Sequence, residues 1–314
     1  MRSYFSKLLE QAMKSDDRIV LLYGDIGNTL FDQIRKSFPS RALNCGVAEA
    51  NMVSVAAGMA NAGLIPVVYT ISSFLYLKAL EQIKLDVAYG KNRVILVGTG
   101  GGLSYSALGT THHSLEDFAV LNPVPELAIY APSDFVELSA ALRAALADSH
   151  ASWIRIGKKE EIWHEANSGM DDHLLLAPHL VSSQNGKTGH KVDANFVSYG
   201  ITVQECISAA TLLRSEGVSV NVWSIPRIKP IASSEKIEPI LNCENLFIVE
   251  EHSGVGGLFS LFSSILINKE NKPRLFQVNT GDSFHSALGD SDDARQSLAL
   301  NDEALFKLVC SNLA

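Results

Sequence analysis

Short apolar runs alternate with amphipathic stretches along the chain. Ile19-Val20-Leu21-Leu22-Tyr23 is unbroken and ends at Gly24-Asp25, the pattern of a parallel strand buried on both faces. Pro66-Val67-Val68-Tyr69-Thr70, Val94-Ile95-Leu96-Val97-Gly98, Leu127-Ala128-Ile129-Tyr130 and Trp153-Ile154-Arg155-Ile156 repeat it. Between them, residues 5–13, 30–36, 49–63, 74–89 and 115–121 read as helices, and Pro132-Ser133-Asp134 starts another that runs to about residue 147. This βα repetition predicts a parallel sheet covered by helices on both faces. A second α/β unit begins at Phe196-Val197-Ser198-Tyr199-Gly200. It continues through a helix over 203–215 and strands over 218–223, 246–249 and 274–278, with a helix after Gly254-Val255-Gly256-Gly257. Residues 157–193 are polar and turn-rich; 174–181 followed by Asn185-Gly186 suggests a hairpin or an irregular linker. The expected division is a first domain over residues 1–160, a linker or hairpin over 161–193 and a second domain over 194–314.

The length of 314 residues suits two domains, and 46% hydrophobic against 19% charged residues suits sizeable cores. The net charge of −8 has no block of like sign, which argues against a general nucleic-acid or membrane-surface role. Apolar stretches are too short to span a bilayer, and the first residues lack an apolar leader. Cys45, Cys206, Cys243 and Cys310 lie far apart without a CxxC pair, so free thiols in a reducing compartment are expected and a metal site is not. Cytoplasm is the default location.

The glycine-rich segments Gly98-Thr99-Gly100-Gly101-Gly102 and Gly254-Val255-Gly256-Gly257 lack GxGxxG spacing and a Walker lysine, so they read as tight βα turns rather than phosphate cradles. Thr110-Thr111-His112-His113 is a loop; its adjacent histidines are not spaced as metal ligands on a helix. Glu49 opens an apolar helical stretch, where helix N–H groups favour an acid.

Taken in order, these segments resemble one family. Gly46 to Met52, running on through Ala57-Gly58-Met59-Ala60-Asn61-Ala62-Gly63, resembles the pyrimidine-binding segment of transketolase-type thiamine diphosphate enzymes, where the glutamate switches the cofactor on. The resemblance implies that Glu49 hydrogen-bonds a ring nitrogen of the cofactor. Ser73-Phe74-Leu75 resembles the segment whose phenylalanine stacks on the pyrimidine; Ile71 holds the place of a second aromatic and would give an apolar wall. Leu108-Gly109-Thr110-Thr111-His112-His113 is similar to the family's D-G-x-T-H-Q loop, which makes His112 the candidate for reaching the substrate carbonyl. Gly24-Asp25-Ile26-Gly27, Ala131-Pro132-Ser133-Asp134, Ile228-Lys229-Pro230 and Val249-Glu250-Glu251-His252 extend the likeness over nearly the whole chain. Leu108 stands where the family has an aspartate that reads a sugar hydroxyl, and Gly100 where a histidine or arginine is common. Lys158 falls near a family arginine that holds substrate phosphate, although a solvated basic turn with Lys159 explains it equally.

The family also grips the diphosphate through Mg2+ in a different domain, marked by G-D-G, and Gly-Asp-Gly does not occur here. With the first domain starting at residue 1, the expectation is the C-terminal subunit of a split transketolase. A separate N-terminal subunit would hold Mg2+ and the diphosphate, with an expected stoichiometry of α2β2, and the pair would move a two-carbon ketol unit from a ketose phosphate to an aldose. The β subunit of a 2-oxo-acid dehydrogenase shares the architecture, but the Thr-His-His loop and the Ser-Phe-Leu segment favour transketolase. A 1-deoxyxylulose-phosphate-synthase-like activity and a non-catalytic regulatory subunit are the other readings.

Overall fold

The computed structural model describes residues 1–26, 29–158, 164–183 and 191–313. The first unit carries strands β1 (Ile19–Tyr23), β2 (Ala42–Asn44), β3 (Ile65–Ile71), β4 (Ile95–Thr99), β5 (Leu127–Tyr130) and β6 (Ala151–Ile156). The second carries β7 (His179–Ser182), β8 (Val192–Ser198), β9 (Val220–Ser224), β10 (Arg227–Lys229), β11 (Cys243–Val249) and β12 (Arg274–Val278). One seven-stranded sheet has the order β10-β5-β6-β4-β3-β1-β2; the other, of five strands, has β12-β11-β8-β9-β7. Every pairing is parallel except β10 with β5 and β7 with β9.

The unbroken apolar runs are strands because each has a hydrophobic layer on both faces. In β1, Val20 and Leu22 pack into a layer with Val53 and Ala57, while Ile19, Leu21 and Tyr23 pack on the opposite face with Phe5, Leu9 and Met13. In β4, Leu96 joins the first layer and Ile95 and Val97 the second. That first layer continues across the unit boundary into Val197, Trp223, Ile248 and Phe262, so a single core joins the two sheets. A third layer, with Phe196, Cys206, Phe247 and Leu305, covers the outer face of the second sheet. At about 25 cal/mol per Å2, burial of this kind is the dominant stabilising term.

The helix expected over 74–89 is broken. It runs Ser72–Lys78, turns at Ala79 and Leu80–Gln82, and widens to a π-helix over Ile83–Tyr89. The stretch 174–181 forms no hairpin with the strand that follows. A helical turn, Asp172–Leu175, leads into β7, which crosses to pair antiparallel with β9. Asn185-Gly186 lies outside the described residues, as does Gly27. Residues 227–229 leave the second unit and add β10 to the first sheet. Asp134 caps the helix Phe135–Ala147, accepting from the backbone N–H of Val136 and Glu137 at 2.9 and 2.8 Å. Among the described residues, no helix is long and apolar enough to cross a membrane.

Candidate active site

The singled-out positions lie at the C-terminal ends of parallel strands or in the segments that follow them, where open α/β sheets bind ligands. Glu49 begins the helix Glu49–Asn61 that follows β2. Ile71 is the last residue of β3, and Phe74 lies in the helix after it. Gly100 and His112 follow β4, and Lys158 follows β6. Leu108 ends a short 3-10 turn, Ser106–Leu108, and is 55% exposed.

The fold brings three of these groups together through one that the sequence reading missed. Glu49 is only 5% exposed, and its Oε2 lies 3.3 Å from Lys78 Nζ. The same ammonium stands 4.4 Å from the centre of the Phe74 ring, and Phe74 meets His112 edge-on at 5.0 Å and 61°. Lys78 had a signal of its own, because it lies four residues after Phe74 and shares its helix face. Ile71 is buried at the base of the same strand end. Desolvation lowers the His112 pKa from its ordinary value, which favours a neutral ring at neutral pH. Its Nδ1 lies 2.9 Å from the Thr111 hydroxyl.

The glycine-rich turn is a packing device. A β-carbon on Gly100 would come within 2.0 Å of the Tyr105 ring, one on Gly101 within 2.4 Å of Arg155, and one on Gly102 within 2.0 Å of Glu251 Oε2. Gly100 and Gly102 also have positive φ, 78° and 64°. Glu251 reaches in from the second unit, accepts from the Leu103 N–H at 2.9 Å and pairs with Arg295 at 2.7 Å. Arg155 is buried; its guanidinium lies 3.2 Å from Asp117 and donates to the Glu251 carbonyl at 2.8 Å. Burial pushes the Asp117 carboxyl up to about 6, with Arg155 pulling against it. A charged residue inside an otherwise apolar strand was the visible signal for Arg155.

The loop that carries His112 is held by the second unit. Thr110 donates to the His285 carbonyl at 2.5 Å, Ser106 donates to the Gly289 carbonyl at 3.0 Å, and Leu288 N–H donates to the Ser106 carbonyl at 3.4 Å. Beside the loop is a cavity of about 550 Å3, lined among others by Arg2, Ser104, Tyr105, Leu108, Ser133 and Lys158. Lys158 is exposed, with Nζ 5.4 Å from the centre of the Tyr105 ring; Lys159 lies outside the described residues. Lys158 thus faces this cavity rather than Glu49. Among the described residues, no group of three or more His, Cys, Asp or Glu side chains is placed to hold a metal ion.

Residues 1–161 match the family model of the transketolase pyrimidine binding domain, and residues 188–284 match that of the transketolase C-terminal domain. The chain belongs to the transketolase family. An apulose-4-phosphate transketolase subunit of Actinobacillus succinogenes is 30% identical over 279 residues, covering 88% of this chain and 86% of the relative. The 6-deoxy-6-sulfo-D-fructose transketolase subunit of a Clostridium species is 29% identical over 97% of this chain and 91% of its own. Human transketolase is 27% identical, and the match spans only 42% of that longer enzyme. Among solved structures, a split gene transketolase in an inactive beta4 tetramer aligns with a TM-score of 0.84 at 25% identity, covering 99% of this chain and 97% of that one. Transketolase of Pichia stipitis shares the fold at a TM-score of 0.80 and 16% identity, over 45% of its length. The segment 285–289 that holds the His112 loop falls outside both family-model matches.

Proposed function

We propose that this chain is the C-terminal subunit of a split transketolase, acting with a separate chain that supplies the diphosphate and magnesium half of the site, two copies of each. The reaction is transfer of a two-carbon ketol unit from a ketose with an anionic end to an aldose. One observation carries the reading: a buried carboxylate, an aromatic face and an imidazole converge at the strand ends through Glu49, Phe74 and His112. Relatives that match along most of their length include chains named as transketolase subunits, and the similar split-gene transketolase structure is an inactive beta4 tetramer.

These residues fit the pyrimidine half of thiamine diphosphate. Glu49 offers a carboxyl group shielded from water for a ring nitrogen, and Phe74 offers a face for stacking. When bound, the cofactor supplies the nucleophile and the electron sink for carbon–carbon cleavage. Glu49 holds the proton at the ring nitrogen. His112, neutral and half-buried, donates a hydrogen bond to the substrate carbonyl oxygen and shuttles its proton as charge develops. Lys158 gives a point charge for a phosphate or sulfonate in the adjoining cavity.

Purification of the chain with its partner, followed by ketol-transfer assays over ketose phosphates and sulfonates, tests the reading. Transfer only when both chains are present is the expected result. Full turnover by this chain alone refutes the split, and CO2 release from a 2-oxo acid with no aldose acceptor points instead to the dehydrogenase class.

Lys78 contacts both surfaces that the pyrimidine needs, so it must move when the cofactor binds. A half-exposed ion pair and a cation–π contact contribute about 1 kcal/mol together. Lys78→Met is therefore expected to tighten thiamine diphosphate binding by the two-chain enzyme about five-fold in a calorimetric titration. Weaker binding would show that the ammonium helps to hold the cofactor.

A further inference from the structure

Gly100 and Tyr105 act as one unit. The Tyr105 ring fills the volume that any side chain at position 100 would need, with Cε2 2.0 Å and Cδ2 2.2 Å from the site of its β-carbon. One side of the ring meets His112 at 6.1 Å and 67°. Lys158 lies over its face at 5.4 Å, and the ring lines the cavity of about 550 Å3 with Ser104 and Leu108. Tyr105 is half-buried, and its hydroxyl makes no hydrogen bond to a described residue. A phenol so placed has a donor and an acceptor to offer. Its neighbour Leu108 is exposed and apolar, so it reads no hydroxyl.

We propose that Tyr105 is a specificity-determining residue, whose hydroxyl hydrogen-bonds an oxygen on the chain of the donor sugar beyond the transferred carbons. The inference rests on the proposed transketolase function. The substrate class that follows is a ketose with an anionic end near Lys158 and a chain hydroxyl at Tyr105, to which Leu108 itself adds no polar contact. A phenol donates or accepts with similar ease, so it grips a chain oxygen without fixing configuration as firmly as a carboxylate would. Tyr105 touches neither Glu49 nor Phe74 in the contacts described above, so its effect is separable from cofactor activation.

The test compares wild-type and Tyr105→Phe forms of the two-chain enzyme on two donors. One is a five- or six-carbon ketose phosphate. The other is hydroxypyruvate, which carries the two transferred carbons and a departing carboxylate but no sugar chain. Loss of a buried hydrogen bond to a hydroxyl substrate is expected to lower kcat/KM for the ketose phosphate about 10- to 50-fold. For hydroxypyruvate the change is expected to stay within about two-fold, with unchanged thiamine diphosphate Kd. Equal loss on both donors assigns Tyr105 to holding His112, and no loss on either makes it a packing residue; both overturn the inference. A wild-type complex inactive on both donors instead removes the transketolase reading, and this inference with it.

Discussion

Glu49→Gln is expected to leave folding near normal and to lower kcat of the two-chain enzyme by about 100- to 10,000-fold, the range lost when a positioned acid–base group is removed. Glutamine keeps the shape of the side chain, but its amide cannot exchange a proton with a ring nitrogen. The folding cost is small because the ion-pair partner, Lys78, is 48% exposed, and pairs of that kind contribute about 1 kcal/mol or less. Single-turnover kinetics alongside a thermal melt separates chemistry from stability. An unchanged kcat with a normal melt would remove Glu49 from the mechanism.

Arg155→Ala acts on the fold. Asp117 is fully buried and faces Arg155, and the Glu251 and Ser114 carbonyls both accept from the same guanidinium, at 2.8 and 3.4 Å. Removing one member of a buried ion pair strands the other, which costs about 3–5 kcal/mol. Loss of that size in a urea titration is the expected outcome. The double variant Arg155→Ala with Asp117→Ala should recover part of it, because no buried charge is then left unpaired. A single-variant loss under about 1 kcal/mol would mean that water reaches the site freely.

The strands read from sequence were mostly those buried on both faces, because continuous apolar runs such as 19–23 and 94–98 survive any choice of partner; Arg274–Val278, mostly exposed or half-buried, was read as well. Those missed are short or partly exposed. Ala42-Leu43-Asn44 shows three half-buried or exposed positions, and Arg227-Ile228-Lys229 has the look of a loop. Their existence depends on a neighbouring strand, which local pattern does not specify. The same limit explains β7, which the pattern left between a hairpin and an irregular linker because its pairing with β9 was not visible. Glu49, Phe74 and His112 were singled out from motifs, and the structure brings them within one chain of contacts. Lys78 and Tyr105 were not: the spacing of Lys78 from Phe74 was readable, but what each side chain faces was not, a carboxylate 29 positions earlier for one and a glycine that leaves a gap for the other.

The crossing of residues 227–229 into the first sheet has a practical consequence. That strand covers the outer flank of β5, where an uncovered row of backbone N–H and C=O groups would recruit another chain. Cutting the polypeptide between its two sheets to obtain the N-terminal half would bare this flank. Such a fragment should aggregate by strand addition, and soluble material should require the whole chain.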